Sequence, residues 1–400
     1  MSNLPQLELY TLTDLLGESL QALVYKGYHP HYPEQHLVIK QLKLLSSWEE
    51  QTLYLRQKIE RLKVLHDPRV CTPLTLETDE SNLFIVQPWF RGVPIADWVN
   101  HREPVARRVS IPDFLDLACS LADILQAVHD AGITHGGIKP HNILMQPGTL
   151  ITRLTDFITP LDIRDVSHFI YNPEFVRGTL AYTSPEQTGR INYRVDFSTD
   201  LYSLGIVFYE LLAGRLPFFS DDPLELSHSH LSEDAIKVHE ANPEVPAVLS
   251  EIVAKLMTKQ PEKRYQSAAG LFADLHRCRQ EYSATGSIQR FPIGKQDRTR
   301  RVIFISKMVG RQTESVQIRQ LYDEVVEGNF RSVFISGFSG IGKTRLIQEL
   351  QKPLVQHRGY FTSGKFDLYQ KNIPYSSLIQ ALRNLVRIFL TESDAQLLQW

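Results

Sequence analysis

The stretch His135-Gly136-Gly137-Ile138-Lys139-Pro140-His141-Asn142-Ile143-Leu144 decides how this chain is read. Fourteen residues after Asn142 stands Asp156-Phe157-Ile158. Outward from there follow Gly178-Thr179, Ser184-Pro185-Glu186, Asp200-Leu201-Tyr202-Ser203-Leu204-Gly205 and, later, Arg264. Upstream, residues 8–88 read as strands broken by one helix. Residues 22–28, 36–43 and 83–86 are short, apolar and rich in strand formers. Residues 48–65 have helical spacing, with Leu55, Ile59 and Leu62 on one face. From Asp113 onward the pattern turns helical, with Phe114, Leu117, Leu121, Leu125 and Val128 on one stripe and Gly132 as a C-terminal stop. Residues 200–212 are apolar nearly all round, the mark of a helix buried in a core. Residues 247–257 and 268–279 are further amphipathic helices. The pattern is a small β-rich lobe followed by a larger helical one.

In order and spacing these motifs resemble the catalytic loop, metal loop, activation segment and helix scaffold of Ser/Thr protein kinases, over about residues 8–280. The resemblance implies that Lys40, ending Leu37-Val38-Ile39-Lys40, holds the α- and β-phosphates of ATP. It implies that Asn142 and Asp156 ligate Mg²⁺, whose preference for hard oxygens they satisfy, and that Lys139 stabilises the transferred phosphoryl group. Glu186 with Arg264, and Asp200, match structural positions. Val86 falls at the gatekeeper, so adenine would meet the carbonyl of Gln87 and the N–H of Trp89. Pro88 between them lacks an N–H that is not needed.

Four departures oppose transfer. His-Arg-Asp of the family reads His135-Gly136-Gly137, so Gly137 occupies the position of the catalytic aspartate. A positioned base contributes roughly 3–5 kcal/mol of barrier lowering, and glycine has no side chain to supply it. Gly136 replaces the arginine that would bind an activation-loop phosphate, although Thr159, Ser167 and Thr179 lie in that segment. Counting back from Asp67-Pro68 puts Lys58 where a glutamate should pair with Lys40; Glu60 lies about 200° round the helix. The nucleotide-covering loop keeps only Gly17 of G-x-G-x-x-G. Ile158 also stands where the family has glycine after Asp156-Phe157. His141, beside the missing acid, reads as a solvated loop residue.

Farther on, Gly337-Phe338-Ser339-Gly340-Ile341-Gly342-Lys343-Thr344 fits G-x-x-x-x-G-K-[ST] in full. Residues 332–336 before it read as a strand, and residues 343–350 and 375–390 as helices. That context makes it a phosphate-binding loop: Gly337, Gly340 and Gly342 let backbone N–H groups wrap the phosphates, Lys343 reaches the β- and γ-phosphates, and Thr344 ligates Mg²⁺. No apolar strand ending in an acid follows before residue 400, so the second acid that hydrolysis needs is not seen, and the chain is expected to end inside a domain. With residues 307–311 and 359–375, the chain is similar to large bacterial signalling proteins that join a Ser/Thr kinase-like domain, an AAA-type ATPase and a sensor histidine kinase. The resemblance implies, as partners, signalling proteins or C-terminal sensor and histidine-kinase domains absent from this chain.

Composition bounds the rest. The chain has 400 residues, 42% hydrophobic and 22% charged, with net charge −2. Those values fit two or three globular domains and give no general reason to expect nucleic acid. Residues 290–311 carry seven Lys/Arg against Asp297, read as a solvated linker in preference to a phosphate-backbone patch. Cys71, Cys119 and Cys278 are far apart and read as buried thiols in a reducing cytosol. No apolar run reaches membrane-spanning length, and the N-terminus is not a signal peptide. A cytoplasmic location is expected.

The expected architecture is an α+β bilobal protein-kinase-like fold followed by an incomplete α/β P-loop NTPase domain. Its parts are residues 1–285 (small lobe 8–95, helical lobe 96–285), a basic linker 286–309, and residues 310–400 as the N-terminal part of an AAA-type ATPase domain. The expected function is an ATP- and Mg²⁺-binding pseudokinase regulatory module. The alternatives are a weakly active Ser/Thr kinase and an adaptor that binds no nucleotide.

Overall fold

The computed structural model describes residues 7, 9–18, 22–43, 48–79, 82–102, 108–157, 178–188, 193, 195–297, 311–338, 343–348, 350, 362, 364 and 375–389. The chain divides into two compact units. The first holds residues 1–184, 195–223 and 235–299, and the second holds 185–194, 224–234 and 300–400.

The first unit opens with strands β1 (Thr11–Glu18), β2 (Ala22–His29) and β3 (Tyr32–Leu42), helix α1 (Trp48–Leu62), and strands β4 (Thr75–Thr78) and β5 (Leu83–Pro88). The strands form one antiparallel sheet in the order β1-β2-β3-β5-β4. Alternation along β3 sends Leu37 and Ile39 to one face, where they meet Tyr25, Phe84 and Val86. Leu42 faces the other way, with Ala22, Leu76, Leu83 and Ile85. Helix α1 covers that second face with Leu55 and Ile59, as their spacing predicts. Lys40 shares Leu42's side of β3, so the pleat alone turns its amine away from the Tyr25 core.

The helical lobe begins at β6 (Val93–Pro94), α2 (Ile95–Arg102) and α3 (Ile111–Asp130). Helix α3 starts at Ser110, whose side chain accepts from Asp113 N–H at 3.3 Å, and Gly132 follows it at φ 77°. A small sheet then forms in the order β6-β7-β8, with β7 (Ile143–Met145) and β8 (Thr152–Leu154). Helix α4 (Phe197–Ala213) runs through the core. A reciprocal Asp196/Thr199 capping box opens it and Gly214 at φ 74° closes it. Helix α5 (Pro223–Ser232) falls, but for its first residue, in the second unit, and α6 (Val238–Ala241), α7 (Ala247–Leu256) and α8 (Ala268–Thr285) complete the first. Cys71, Cys119 and Cys278 are all free and buried.

The basic stretch does not begin as a solvated linker. Phe291 is buried, and residues up to Asp297 lie against the helical lobe. The lobe supplies the carboxylates of Glu251, Asp274 and Glu281 and the Arg277 guanidinium over Phe291, which residue counting along the linker could not register.

In the second unit, α9 (Gln312–Val326), α10 (Lys343–Gln348) and α11 (Ser376–Phe389) are helical. Residues 332–336 are not a strand. A strand needs a neighbour for its N–H and C=O groups, and among the described residues of this unit there is none. Phe334 is 95% exposed. Of residues 345–400, over which no second acid is expected, only 345–348, 350, 362, 364 and 375–389 are described. Among the described residues no helix is long and apolar enough to cross a membrane.

Candidate functional site

The β7–β8 hairpin builds the centre of the site. Its register pairs Ile143 with Leu154, and one step outward Thr155 N–H donates to the Asn142 carbonyl at 3.0 Å. Asn142 and Asp156 are thereby fixed side by side at the open end of the hairpin. Asp156 sits at φ 67°, a left-handed conformation that a non-glycine residue holds only at a cost of order 1 kcal/mol. The Lys40 Nζ lies 2.9 Å from its Oδ1. Burial pushes the Asp156 carboxyl up, but Lys40, and after it Lys139, hold it below the usual value.

The loop before Asn142 hangs from Asp200. This fully buried carboxylate accepts from Gly136 N–H at 2.7 Å, His135 N–H at 2.9 Å and His129 Nε2 at 2.9 Å. His129 also stacks on Phe197 at 4.4 Å. Gly136 takes φ 74°, a turn glycine makes without strain. Gly137 N–H donates to His135 Nδ1 at 3.1 Å, and the opposite nitrogen lies 2.9 Å from the Thr155 carbonyl. Those partners fix the neutral tautomer with the proton on Nε2, in accord with burial, which lowers the His135 imidazole below its ordinary value. The Gly137 carbonyl accepts from Asn142 Nδ2 at 2.8 Å. That bond uses the amide nitrogen of Asn142 and leaves its side-chain oxygen as a hard donor that could hold a cation. At Gly137 the loop therefore offers backbone alone where a proton acceptor would stand.

Lys139 reaches across to Thr179, its Nζ donating to Oγ1 at 3.0 Å. Burial lowers its amine, while Asp156 opposes that shift. Lys58 lies on the inward side of α1, three residues after buried Leu55, and its charge acts on His135. Glu60 is turned outward and pairs with Lys63 at 2.5 Å, as the helical angle requires. His141 is exposed. Gly17 lies near the end of β1 opposite Val24, with open space where a Cβ would stand. Ile158, Thr159 and Ser167 fall outside the described residues.

The hinge departs from expectation. Gln87 is buried and its side-chain amide donates to Thr155 Oγ1 at 3.2 Å, tying hinge to metal loop. The Trp89 N–H, expected to face adenine, donates to the His36 carbonyl at 3.2 Å. The cause is the length of β3: its ladder with β5 pairs Leu37 with Pro88 and runs one residue further. The indole also meets the His36 ring edge-on at 5.6 Å and lies under Lys26 Nζ at 4.6 Å. No short motif announces these partners, nor the role of His129, because each comes from a residue distant in sequence.

In the second unit the Lys343 Nζ donates to the carbonyls of Gly337 (2.7 Å) and Phe338 (2.8 Å). The lysine is thus joined to the start of the loop. Gly340, Gly342 and the Thr344 side chain fall outside the described residues.

A family model for the protein kinase domain matches residues 10–274, and one for an AAA ATPase domain matches residues 307–400. "Hybrid signal transduction histidine kinase G" of Dictyostelium discoideum is 31% identical over 377 residues, covering 72% of this chain and 11% of that protein. Serine/threonine-protein kinase PknB of Mycobacterium tuberculosis is 36% identical over 231 residues, covering 56% of this chain and 36% of that protein. This chain thus spans well under half the length of either relative. In fold, the Mycobacterium tuberculosis PknI kinase domain superposes with a TM-score of 0.53 at 20% identity, over 68% of this chain and 96% of that one. Sheet-rich lobe, helical lobe, Asp200-anchored loop and family match agree: the chain belongs to the protein kinase domain family, and an AAA ATPase domain follows.

Proposed function

We propose that the kinase-like unit is an ATP–Mg²⁺-binding pseudokinase, a regulatory module in a cytoplasmic signalling protein. One observation carries this reading: Lys40, Asp156 and Asn142 converge at the end of the β7–β8 hairpin, while Gly137 offers only backbone. Asn142 and Asp156 present hard oxygens, which suit Mg²⁺. Bound there, Mg²⁺ would neutralise phosphate charge. Lys40 holds the α- and β-phosphates, and Lys139 lies toward the γ-phosphate. Substrate hydroxyl deprotonation has no assigned residue, and Lys58 in place of an acid leaves Lys40 without that partner.

Nucleotide entry must displace the Trp89–His36 hydrogen bond, a cost of about 1 kcal/mol. That same bond favours the adaptor reading. The Lys139–Thr179 contact favours a weakly active Ser/Thr kinase, because it holds a cation beside a hydroxyl of the activation segment. In the second unit, the joined Gly337 and Lys343 support a Walker A loop in which phosphate oxygens replace the lysine's carbonyl partners. The name of the Dictyostelium relative supports histidine-kinase signalling as the setting, with sensor or histidine-kinase domains as partners.

Thermal unfolding of the full chain carrying Lys343→Ala tests nucleotide binding without the P-loop's contribution. ATP–Mg²⁺ at about 100 times Kd is expected to stabilise the kinase-like unit by about 2.7 kcal/mol, and Asp156→Ala to remove the gain. No shift in the Lys343→Ala chain would sink the pseudonucleotide site and leave the adaptor.

A further inference from the structure

After α8 the chain turns back along its own helix. Gly286, at φ 70°, ends α8 by donating its N–H to the Tyr282 carbonyl at 2.8 Å. The returning segment then meets the lobe at successively earlier positions. Gln289 N–H donates to Glu281 Oε1 at 2.8 Å. Arg290 pairs with Glu251 at 2.6 Å. Phe291 is 5% exposed, with the Arg277 guanidinium 4.0 Å over its ring. Gly294 N–H donates to Asp274 Oδ2 at 2.6 Å, an atom that also accepts from Tyr265 Oη at 2.7 Å.

The last contact is a carboxylate seated where α8 begins. Asp297 Oδ2 accepts from Gln266 N–H at 2.8 Å, and Oδ1 accepts from Ser267 N–H at 3.0 Å and Ser267 Oγ at 2.9 Å. Negative charge is favoured there by the helix dipole. The fit requires Gly270: a Cβ at that position would lie 2.5 Å from Asp297 Cα and Oδ1. Position by position, residues 289, 291, 294 and 297 engage residues 281, 277, 274 and 267, an antiparallel course down the whole helix.

We propose that residues 287–297 are a releasable latch that fixes where the chain leaves the helical lobe on its way to the ATPase segment. Latched, the exit lies beside the start of α8. Released, it moves to Thr285 at the far end, about 27 Å away for an 18-residue helix. The contacts fit a separable unit. They are a handful of charge-assisted bonds and one aromatic anchor, whereas the helix beneath them is held to the lobe by buried Leu271, Leu275 and Cys278. Such a segment opens at lower free energy than the lobe that carries it.

Amide hydrogen exchange on the full chain tests this. In the wild type, Gln289, Gly294 and the Gln266–Ser267 amides are expected to be protected, yet to exchange faster than amides inside α4. Asp297→Ala, which removes the seated carboxylate, and Gly270→Ala, which crowds it, are each expected to raise exchange across 287–297 by about tenfold or more. Amides of α4 should be unchanged, and tryptic cleavage after Arg290 and Lys295 should speed up in parallel. Exchange at the rate of an unstructured peptide in the wild type overturns the latch. So does exchange only in step with α4, which would make the segment inseparable from the lobe. The wild-type comparison decides both without any variant. Unchanged exchange in both variants, with the lobe folded, overturns the role of Asp297.

Discussion

At Asp200 a single buried carboxylate takes three hydrogen bonds and holds the loop on which the chemistry would occur. Directly after its anchor points on the loop, His135 and Gly136, stands Gly137, whose N–H and carbonyl are both engaged by loop side chains. The scaffold is therefore kept where the base is not. His135 gives this a pH signature. Burial lowers its imidazole below the ordinary 6.5, so the folded chain holds it neutral while the unfolded chain takes up a proton as pH falls through 6.5. Its contribution is complete above that value and is lost as pH falls below it, by up to about 1.4 kcal/mol per pH unit. The Asp156 contribution acts lower, being lost as pH falls through and below 3.8. Denaturant unfolding at pH 7.5 and 5.5 should show the wild type losing more stability than His135→Gln; equal losses would refute the neutral imidazole held between the Gly137 N–H and the Thr155 carbonyl. At this scale the spacing of Lys40, Lys139, Asn142 and Asp156 was readable from the sequence because each sits in a short motif. The Trp89–His36 bond was not, because it depends on how far β3 runs beside β5.

Among the elements, helix α1 was legible because Leu55, Ile59 and Leu62 repeat at helical spacing and all three are buried. Helix α4 was legible for the opposite reason: it is apolar nearly all round, and its burial is nearly complete. Its Gly205 lies where α7 approaches most closely, and a Cβ there would stand 2.7 Å from Leu256 Cβ. Intrinsic propensity favours alanine over glycine inside a helix by about 1 kcal/mol. Overpacking costs about 1–3 kcal/mol. Gly205→Ala is therefore expected to lower stability, by urea unfolding; a gain would show that α4 and α7 can separate freely. Residues 332–336 mark the limit of local reading. Their apolar composition is that of a strand, but a strand is a pairing, and the pairing partner is not encoded in five residues. The course of residues 287–297 was hidden similarly: charge counting registered seven cations, whereas Asp297 and Phe291 decide where the segment lies.

Over the whole molecule, two nucleotide motifs stand in one chain, each with its lysine in place. Lys40 pairs with Asp156, and Lys343 with the carbonyls of its own loop. On the proposed reading, the kinase-like unit would keep the groups that position phosphates and lack the group that moves the substrate's proton. Loss of a base alone costs roughly 3–5 kcal/mol of transition-state stabilisation, and Lys58 stands where the resemblance expects the acid that pairs with Lys40. The measurement that bears most directly on this account is transfer of radiolabelled phosphate from ATP–Mg²⁺ to the chain itself and to a Ser/Thr protein substrate. Wild type, Gly137→Asp and Asp156→Ala are compared. Gly137 does not take a positive φ, so aspartate can be accommodated there by the backbone. The account predicts no labelling by the wild type above the Asp156→Ala background. Labelling by the wild type that Asp156→Ala abolishes would contradict it and make the chain a working kinase.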